Sequence, residues 1–280
     1  MTAILGLNAY HGDAAAALVV DGELVAAAEE ERFNRIKHVA GFPSLAARWC
    51  LEEAGLGPGD LDHVAVSRDP RANIGAKLWR TIRHGASARY LKARLENAAK
   101  VRDVGTALAE ALEVSPSALR AQVHNVEHHQ THVASAFFVS PFERAAILSV
   151  DGFGDFASTM LAVGRGGRVE VLERVLFPHS LGIFYTAVTQ WLGFPHYGDE
   201  GKLMGLAPYG EPTYVDEIGA MIDLRGDGAF RLNEAYFRHV REGVGTDWTD
   251  ASPEVGALWN ERWVERFGPA QPPRTPPTDR

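Results

Sequence analysis

The chain has one cysteine, Cys50, in 280 residues. A lone thiol cannot build a disulfide framework, which suits a reducing compartment, so a cytoplasmic setting is expected. Cations are also few: 28 Lys and Arg stand against 36 Asp and Glu, a formal charge of -8. That balance gives nucleic acid no general electrostatic footing, so no nucleic-acid partner is expected. No run reaches the ~18 to 20 apolar residues of a membrane helix. The opening MTAILGLNAYHGD lacks a basic stretch followed by a long apolar one. Neither a membrane partner nor a signal peptide is therefore expected.

What is present is a chain that is 46% hydrophobic and 23% charged, enough for one large or two small domains with a real core. The first thirty residues read as a strand meander: AILGLN, a turn at AYHGD, AAAALVV, the hairpin signal Asp21-Gly22, then ELVAAAEEE. FPSLAARWCLEEAGL follows as an amphipathic helix and LDHVAVS as a short buried strand. A second meander starts at Ala145: AAILSV, the turn DGFGD, FASTMLAV, the turn GRGG, and RVEVLERV. The two starts match element for element, with Asn8 opposite Asp151 and Asp13 opposite Asp155. The plan is a duplicated half-domain.

A duplicated βββαβα plan is that of the actin-like ATPase fold, an α/β, ribonuclease H-like architecture. There the first turn of each half wraps nucleotide phosphate, with glycines letting backbone amides approach the anion. Gly12 and Asp13 in the first turn, and Gly152 and Gly154 in the second, are the corresponding nucleotide-binding candidates. An ordinary β-hairpin with Gly and Asp at its turn is the alternative for each turn taken alone. Residues 1–144 read as the first half-domain, 145–267 as a partial second one, and 268–280 as a Pro-rich extended linker.

Three further segments stand out. Arg71 to Arg102 carries nine Lys or Arg and one acid, Glu96. Ile74, Leu78 and Ile82, and then Leu91 and Leu95, have helical spacing. Helices with a solvated basic face and a patch for an anionic partner both fit this pattern. SLGIFYTAVTQWLGF reads as an amphipathic helix, and HYGDEGKLMGLAPYG as a Gly-rich polar loop. Finally, His124, His128, His129 and His132 fall within nine positions. A helix beginning near Glu127 and ending at Pro141 puts His128 and His132 at i and i+4, one turn apart on one face. Two imidazoles at that spacing can share a metal ion. His129 points a quarter-turn away, and His124 precedes the helix. Asp151, at the end of a buried strand, is the natural third ligand. Core or capping histidines are the alternative.

The motifs GLNAYHGDAAAALVVDGELVAAAEEERFNRIKH, VEHHQTHVASAFF, LSVDGFGDFAST and DEGKLMGLAPYG lie within residues 4 to 210. Together they resemble the O-carbamoyltransferases of antibiotic tailoring and nodulation-factor modification. The resemblance implies an N-terminal domain similar to the actin-like domain of the tRNA threonylcarbamoyl-transfer proteins, followed by a domain that makes carbamoyl-adenylate from carbamoyl phosphate and ATP. It also implies that the first domain passes the carbamoyl group to an acceptor hydroxyl, with a metal held by the HxxxH motif. Imidazole ligands favour Fe²⁺ or Zn²⁺. Under this reading His11 is the expected general base, Lys37 and Arg32 hold anionic groups of the nucleotide, and Glu200 and Lys202 order a loop over the cleft. The expected partners are carbamoyl phosphate, a nucleotide and a hydroxyl-bearing small molecule.

Family members are about twice as long as this chain, as the resemblance implies. The carbamoyl-adenylate-forming domain and the closing elements of the second half-domain are expected to be missing, a separate C-terminal part is an expected partner that would supply them, and the isolated chain is expected to be inactive. An actin-like ATPase or sugar-kinase relative, and a non-catalytic binding module, are the alternatives. The HxxxH pair argues against the kinase, whose Mg²⁺ is held through oxygen ligands.

Overall fold

The computed structural model describes residues 1–84, 103–245 and 253–273. It divides into two compact units, Met1–His128 with Asp247–Pro253, and His129–Thr246 with Glu254–Arg280. The division falls between residues 128 and 129, where the repeat placed it at 144/145.

In the first unit, β1 (Ala3–Asn8), β2 (Ala15–Val20) and β3 (Glu23–Glu29) form the expected meander. Asp21 and Gly22 turn the second hairpin with φ of 49° and 90°, the left-handed pair that matches strand twist. After α1 (Glu31–Asn34) and α2 (Ser44–Ala54) comes β4 (His63–Val66), then α3 (Ile74–His84), α4 (Val104–Ala111) and β5 (Gln122–Asn125). The sheet order is β3-β2-β1-β4-β5, with β4 parallel to β1 and β5 parallel to β4. An antiparallel meander continued by parallel strands on the β1 side is the ribonuclease H-like arrangement underlying actin-like halves.

The core of this unit follows from side-chain alternation. Ala3, Leu5 and Leu7 of β1 face one way with Ala16 and Leu18 of β2. Ala46, Ala47, Cys50 and Leu51 of α2 pack onto them, joined by Val104 and Leu108 of α4. Alanines on both surfaces let helix and sheet approach closely. Gly55, at φ 65°, ends α2 and bonds back to the carbonyls of Glu52 and Leu51. The start of α2 has no local cap. Glu30, at the end of the meander, supplies one, its carboxylate accepting the N–H groups of Leu45 and Ala46 at 3.1 and 2.8 Å. Glu30 is 5% exposed, and this contact satisfies two otherwise orphaned donors of a helix N-terminus.

α3 is helical as its spacing predicts, but its apolar stripe is exposed: Ile74, Leu78, Trp79 and Ile82 all face solvent. Lys77 departs from the solvated basic face and is buried, its ammonium donating to the carbonyl of Pro70 at 3.1 Å. The rest of the basic segment, residues 85–102, lies outside the described residues.

The second unit holds most of α5 (His128–Phe137), then β6 (Arg144–Gly154), β7 (Ala157–Arg165) and β8 (Arg168–Leu176) as an antiparallel sheet in the order β6-β7-β8. α5 stops at Phe137, short of the predicted end at Pro141. Its Val133 and Phe137 pack on Ile147, Met160 and Ala162. A Cβ at Gly164 would stand 2.5 Å from the Phe137 ring, so only glycine lets that ring lie on the sheet. α6 (Leu181–Trp191) sends Ile183, Phe184 and Ala187 into a second cluster with Val175, Phe237 and Trp263. Beyond it come α7 (Glu200–Leu206), α8 (Val215–Gly219), the β9 (Ile222–Leu224) and β10 (Phe230–Leu232) hairpin, α9 (His239–Glu242) and α10 (Glu261–Phe267). Among the described residues, the larger sheet of this unit has three strands where the sheet of the first has five.

Three expectations are corrected. The DGFGD turn is shorter than expected: β6 runs on through Gly154, and the chain reverses at Asp155 and Phe156 with φ of 48° and 77°. The segment expected as a loop at DEGKLMGL is the helix α7, because Glu, Lys, Leu and Met are good helix formers and outweigh the cost of Gly201 and Gly205. The start of the Pro-rich tail is docked rather than free: the N–H of Gln271 donates to the carbonyl of Trp191 at 2.8 Å. Among the described residues, no helix is long and apolar enough to cross a membrane.

Candidate functional site

The turn between β1 and β2 carries His11, Gly12 and Asp13. Asn8 holds it from inside, its amide nitrogen donating to the carbonyls of Gly12 and Asp13 at 3.0 and 2.9 Å. The Asn8 carbonyl oxygen accepts the hydroxyl of Ser67 at 3.0 Å. Tyr10 and Asp13 sit at φ of 58° and 60°, a backbone that L-residues adopt only when their surroundings fix it. Asp155, the repeat partner of Asp13, is left-handed as well, at 48°.

His11 lies beside His128, with ring centroids 5.2 Å apart. His128 opens α5 and is 6% exposed. It belongs to the first unit by one residue, but rides on the first turn of a helix that otherwise belongs to the second. One turn on, His132 Nε2 lies 3.5 Å from Asp151 Oδ2. One ligand atom from each of His128, His132 and Asp151 falls within 4.8 Å of the others. Two imidazoles and one carboxylate at this separation fit a transition-metal ion with positions left open. His129 is fully buried, with Nδ1 2.8 Å from the Ser149 hydroxyl, and serves the core. His124 Nε2 pairs with His63 Nδ1 at 3.0 Å, across β5 and β4.

Asp151 owes its position to an irregularity. The β6–β7 register slips between Val150 and Gly154, so residues 151–153 bulge out of the ladder, a device that re-aims side chains. The bulge is fastened to the start of α6. The hydroxyl of Ser180, the N-cap of α6, donates toward the carbonyls of Gly152 and Asp151 at 2.7 and 3.0 Å and accepts the N–H of Ile183 at 3.0 Å. Gly182 presses against the same backbone: a Cβ there would stand 2.6 Å from Asp151 C and O and from Gly152 N. Ser180 and Gly182 are site-shaping residues that sequence reasoning missed. The S-L-G opening of the SLGIF helix is the signal that could have found them.

The other candidates are placed as follows. Gly152 lies in the bulge and Gly154 at the end of β6, where Gly154 is buried. Arg32 is exposed and sits 3.4 Å from Glu29 Oε2 and 3.8 Å from Glu31 Oε1. Lys37 is exposed, next to His38. Glu200 accepts the hydroxyl of Thr186 at 2.5 Å, which ties α7 to α6. Lys202 contacts the buried Asp199 carboxylate at 2.5 Å. A group that sequence reasoning did not assemble is Asp13, Glu31 and His38, whose potential ligand atoms also lie within 4.8 Å of one another.

Residues 3–247 match the family model described as "Carbamoyltransferase N-terminus". The chain is 41% identical over 290 aligned residues to an uncharacterized protein of Synechocystis sp., sll1178, covering all of this chain and 45% of that protein. It is 38% identical over 226 residues to the nodulation protein NolNO of Sinorhizobium fredii, covering 80% of this chain and 32% of the relative. The chain thus spans less than half the length of these relatives. Among solved structures, YeaZ from Pseudomonas aeruginosa overlays with a TM-score of 0.32 at 17% identity, covering 63% of this chain and 69% of that one. The strand order, not this overlay, identifies the fold.

Proposed function

Because the chain belongs to the carbamoyltransferase N-terminus family, we propose that it forms the group-transfer half of an ATP-dependent O-carbamoyltransferase. The adenylating step, which joins carbamoyl phosphate and ATP into carbamoyl-adenylate, is assigned to the length of the relatives that this chain does not span. The observation that carries the reading is the His128–His132–Asp151 group, assembled from two separate motifs of the sequence.

These three residues would hold Fe²⁺ or Zn²⁺. Such an ion supplies Lewis acidity toward the carbamoyl or phosphate oxygen. The remaining chemistry belongs to the chain. His11, beside His128, accepts the proton of the acceptor hydroxyl as a neutral imidazole. The acceptor oxygen forms a bond to the carbamoyl carbon, and the bond from that carbon to the AMP phosphate oxygen breaks. AMP leaves with the electron pair, and the proton rests on His11. Amides of the Gly12–Asp13 turn, of Gly152 in the bulge and of Gly154 at its end are proposed to face phosphate. Lys37 and Arg32 supply positive charge to the nucleotide, and Glu200 and Lys202 fix α7. The acceptor is a hydroxyl-bearing sugar or natural product. A reducing cytoplasm belongs to the same reading, supported by the single buried cysteine.

The test uses the full-length polypeptide that carries this chain, given radiolabelled carbamoyl phosphate, ATP and a panel of hydroxylated acceptors. Pyrophosphate release reports adenylation, and labelled carbamate ester reports transfer. His11→Ala and His132→Ala are expected to abolish ester formation while pyrophosphate release persists. Wild-type ester formation in the His11→Ala protein, or no ester from the wild type with any acceptor, would reject the assignment.

A further inference from the structure

The turn that carries His11 also meets a second cluster of ligating side chains, one that the transfer reading does not use. Asp13 closes the β1–β2 turn, Glu31 opens α1, and His38 follows that helix. Asp13 Oδ1 lies 2.7 Å from His38 Nδ1. Glu31 Oε2 accepts the backbone N–H of His38 at 3.1 Å. One ligand atom from each of the three residues falls within 4.8 Å of the others.

We infer that Asp13, Glu31 and His38 form a second divalent-cation site, suited to Mn²⁺ and separate from the His128–His132–Asp151 group. Two observations carry this. First, the three ligand atoms converge within 4.8 Å at a partly buried position, where main-chain bonds from Tyr10 N–H to Gly41 O at 3.0 Å and from Ala14 N–H to Val39 O at 2.9 Å also hold the loop. Second, the charge count suits the ion. Two carboxylates and a neutral imidazole balance a divalent cation. The nearby Arg32 is largely exposed and lies closer to Glu29, at 3.4 Å, than to Glu31, at 3.8 Å.

The donor sets of the two groups differ in kind. His128, His132 and Asp151 offer two nitrogens and one oxygen, which favours Zn²⁺ or Fe²⁺. Asp13, Glu31 and His38 offer two oxygens and one nitrogen, which shifts preference toward the harder Mn²⁺. An ion bound through Nδ1 displaces the Asp13–His38 hydrogen bond, and the imidazole then carries its proton on Nε2. Waters complete the coordination.

The probe is Mn²⁺ alone, titrated into the full chain while the electron paramagnetic resonance signal of free Mn²⁺ is followed. Asp13→Asn, Glu31→Gln and His38→Asn are the variants, because asparagine tolerates the left-handed backbone at 13 and 38. Each is expected to weaken Mn²⁺ binding by about tenfold or more, the scale of losing or disturbing a ligand, while His132→Ala leaves it within about twofold. Thermal unfolding without metal shows whether a variant is folded, and any one folded variant suffices. No Mn²⁺ binding by the wild type, wild-type affinity in a folded Asp13→Asn or His38→Asn protein, or an equal loss in His132→Ala would overturn the site.

Discussion

Gly182 and Asp151 share a space that admits no side chain, since a Cβ on residue 182 would stand 2.6 Å from the carbonyl carbon and oxygen of Asp151. The first turn of α6 therefore sets where the candidate metal-ligating carboxylate can lie. Gly182→Ala is expected to push the 151–153 bulge away and to destabilise the fold by about 1–3 kcal/mol, as overpacking does. It should also lower Zn²⁺ affinity. Gly201→Ala is the control, because an added Cβ there meets nothing within 4 Å; it should be neutral or stabilising by about 0.5–1 kcal/mol. Calorimetric unfolding and Zn²⁺ titration of both variants check the contrast.

The four clustered histidines should separate by role. His128→Ala and His132→Ala are expected to lose most bound transition metal, and His124→Ala little. His129→Ala should keep its metal but lose about 2 kcal/mol or more of stability, since it empties a fully buried position and strands Ser149. Elemental analysis with denaturant unfolding distinguishes these outcomes. Equal metal loss in all four proteins would indicate a diffuse histidine patch.

Glu30→Ala removes the acceptor for the N–H groups of Leu45 and Ala46. Leaving the buried Ala46 N–H unsatisfied costs about 1–3 kcal/mol. Glu30→Gln keeps one acceptor oxygen and should recover part of the loss. Urea denaturation of the three proteins, at unchanged m-value, provides the measurement.

His179 gives a pH dependence of defined sign. Burial depresses its pKa below the ordinary 6.5, with Arg231 acting the same way and Glu234 opposing. Its Nδ1 accepts the N–H of Leu232 at 3.3 Å, which requires an unprotonated nitrogen. The unfolded chain therefore binds a proton that the folded one refuses. This contribution to stability is present above about pH 6.5 and is lost as pH falls from there toward the lowered folded value. His179→Asn, whose side-chain oxygen can take the same N–H, should flatten that part of the stability–pH profile. An unchanged profile would remove His179 from the account.

Much of the fold was legible because it rests on local signals. The Asp21-Gly22 hairpin, the alternation along β1 and the repeat of the two meanders lie within short windows of sequence. The His128–His132 pair was readable for the same reason, as one turn of helix. The Asp13–Glu31–His38 group was not, because it forms only when α1 and its following loop fold back on the β1–β2 turn. Nor was the bulge at Asp151, which depends on Ser180 and Gly182 some thirty residues on. The α7 helix was misread because Gly201 and Gly205 carry a loop signal, while the bond of Glu200 to Thr186 that ties this segment to α6 is a tertiary contact with no trace in composition.

The contact of Glu30 with the start of α2 also bears on the order of folding. The cap comes from a residue 15 and 16 positions before the amides it satisfies, so an isolated α2 peptide does not possess it. Helices of this length are marginal on their own. The first turn of α2 is thus completed only once β3 has delivered Glu30, and helix and meander close as one cooperative step. Amides 45 and 46 should accordingly exchange with solvent at the rate of the β2–β3 ladder rather than with the fraying rate of an ordinary helix end.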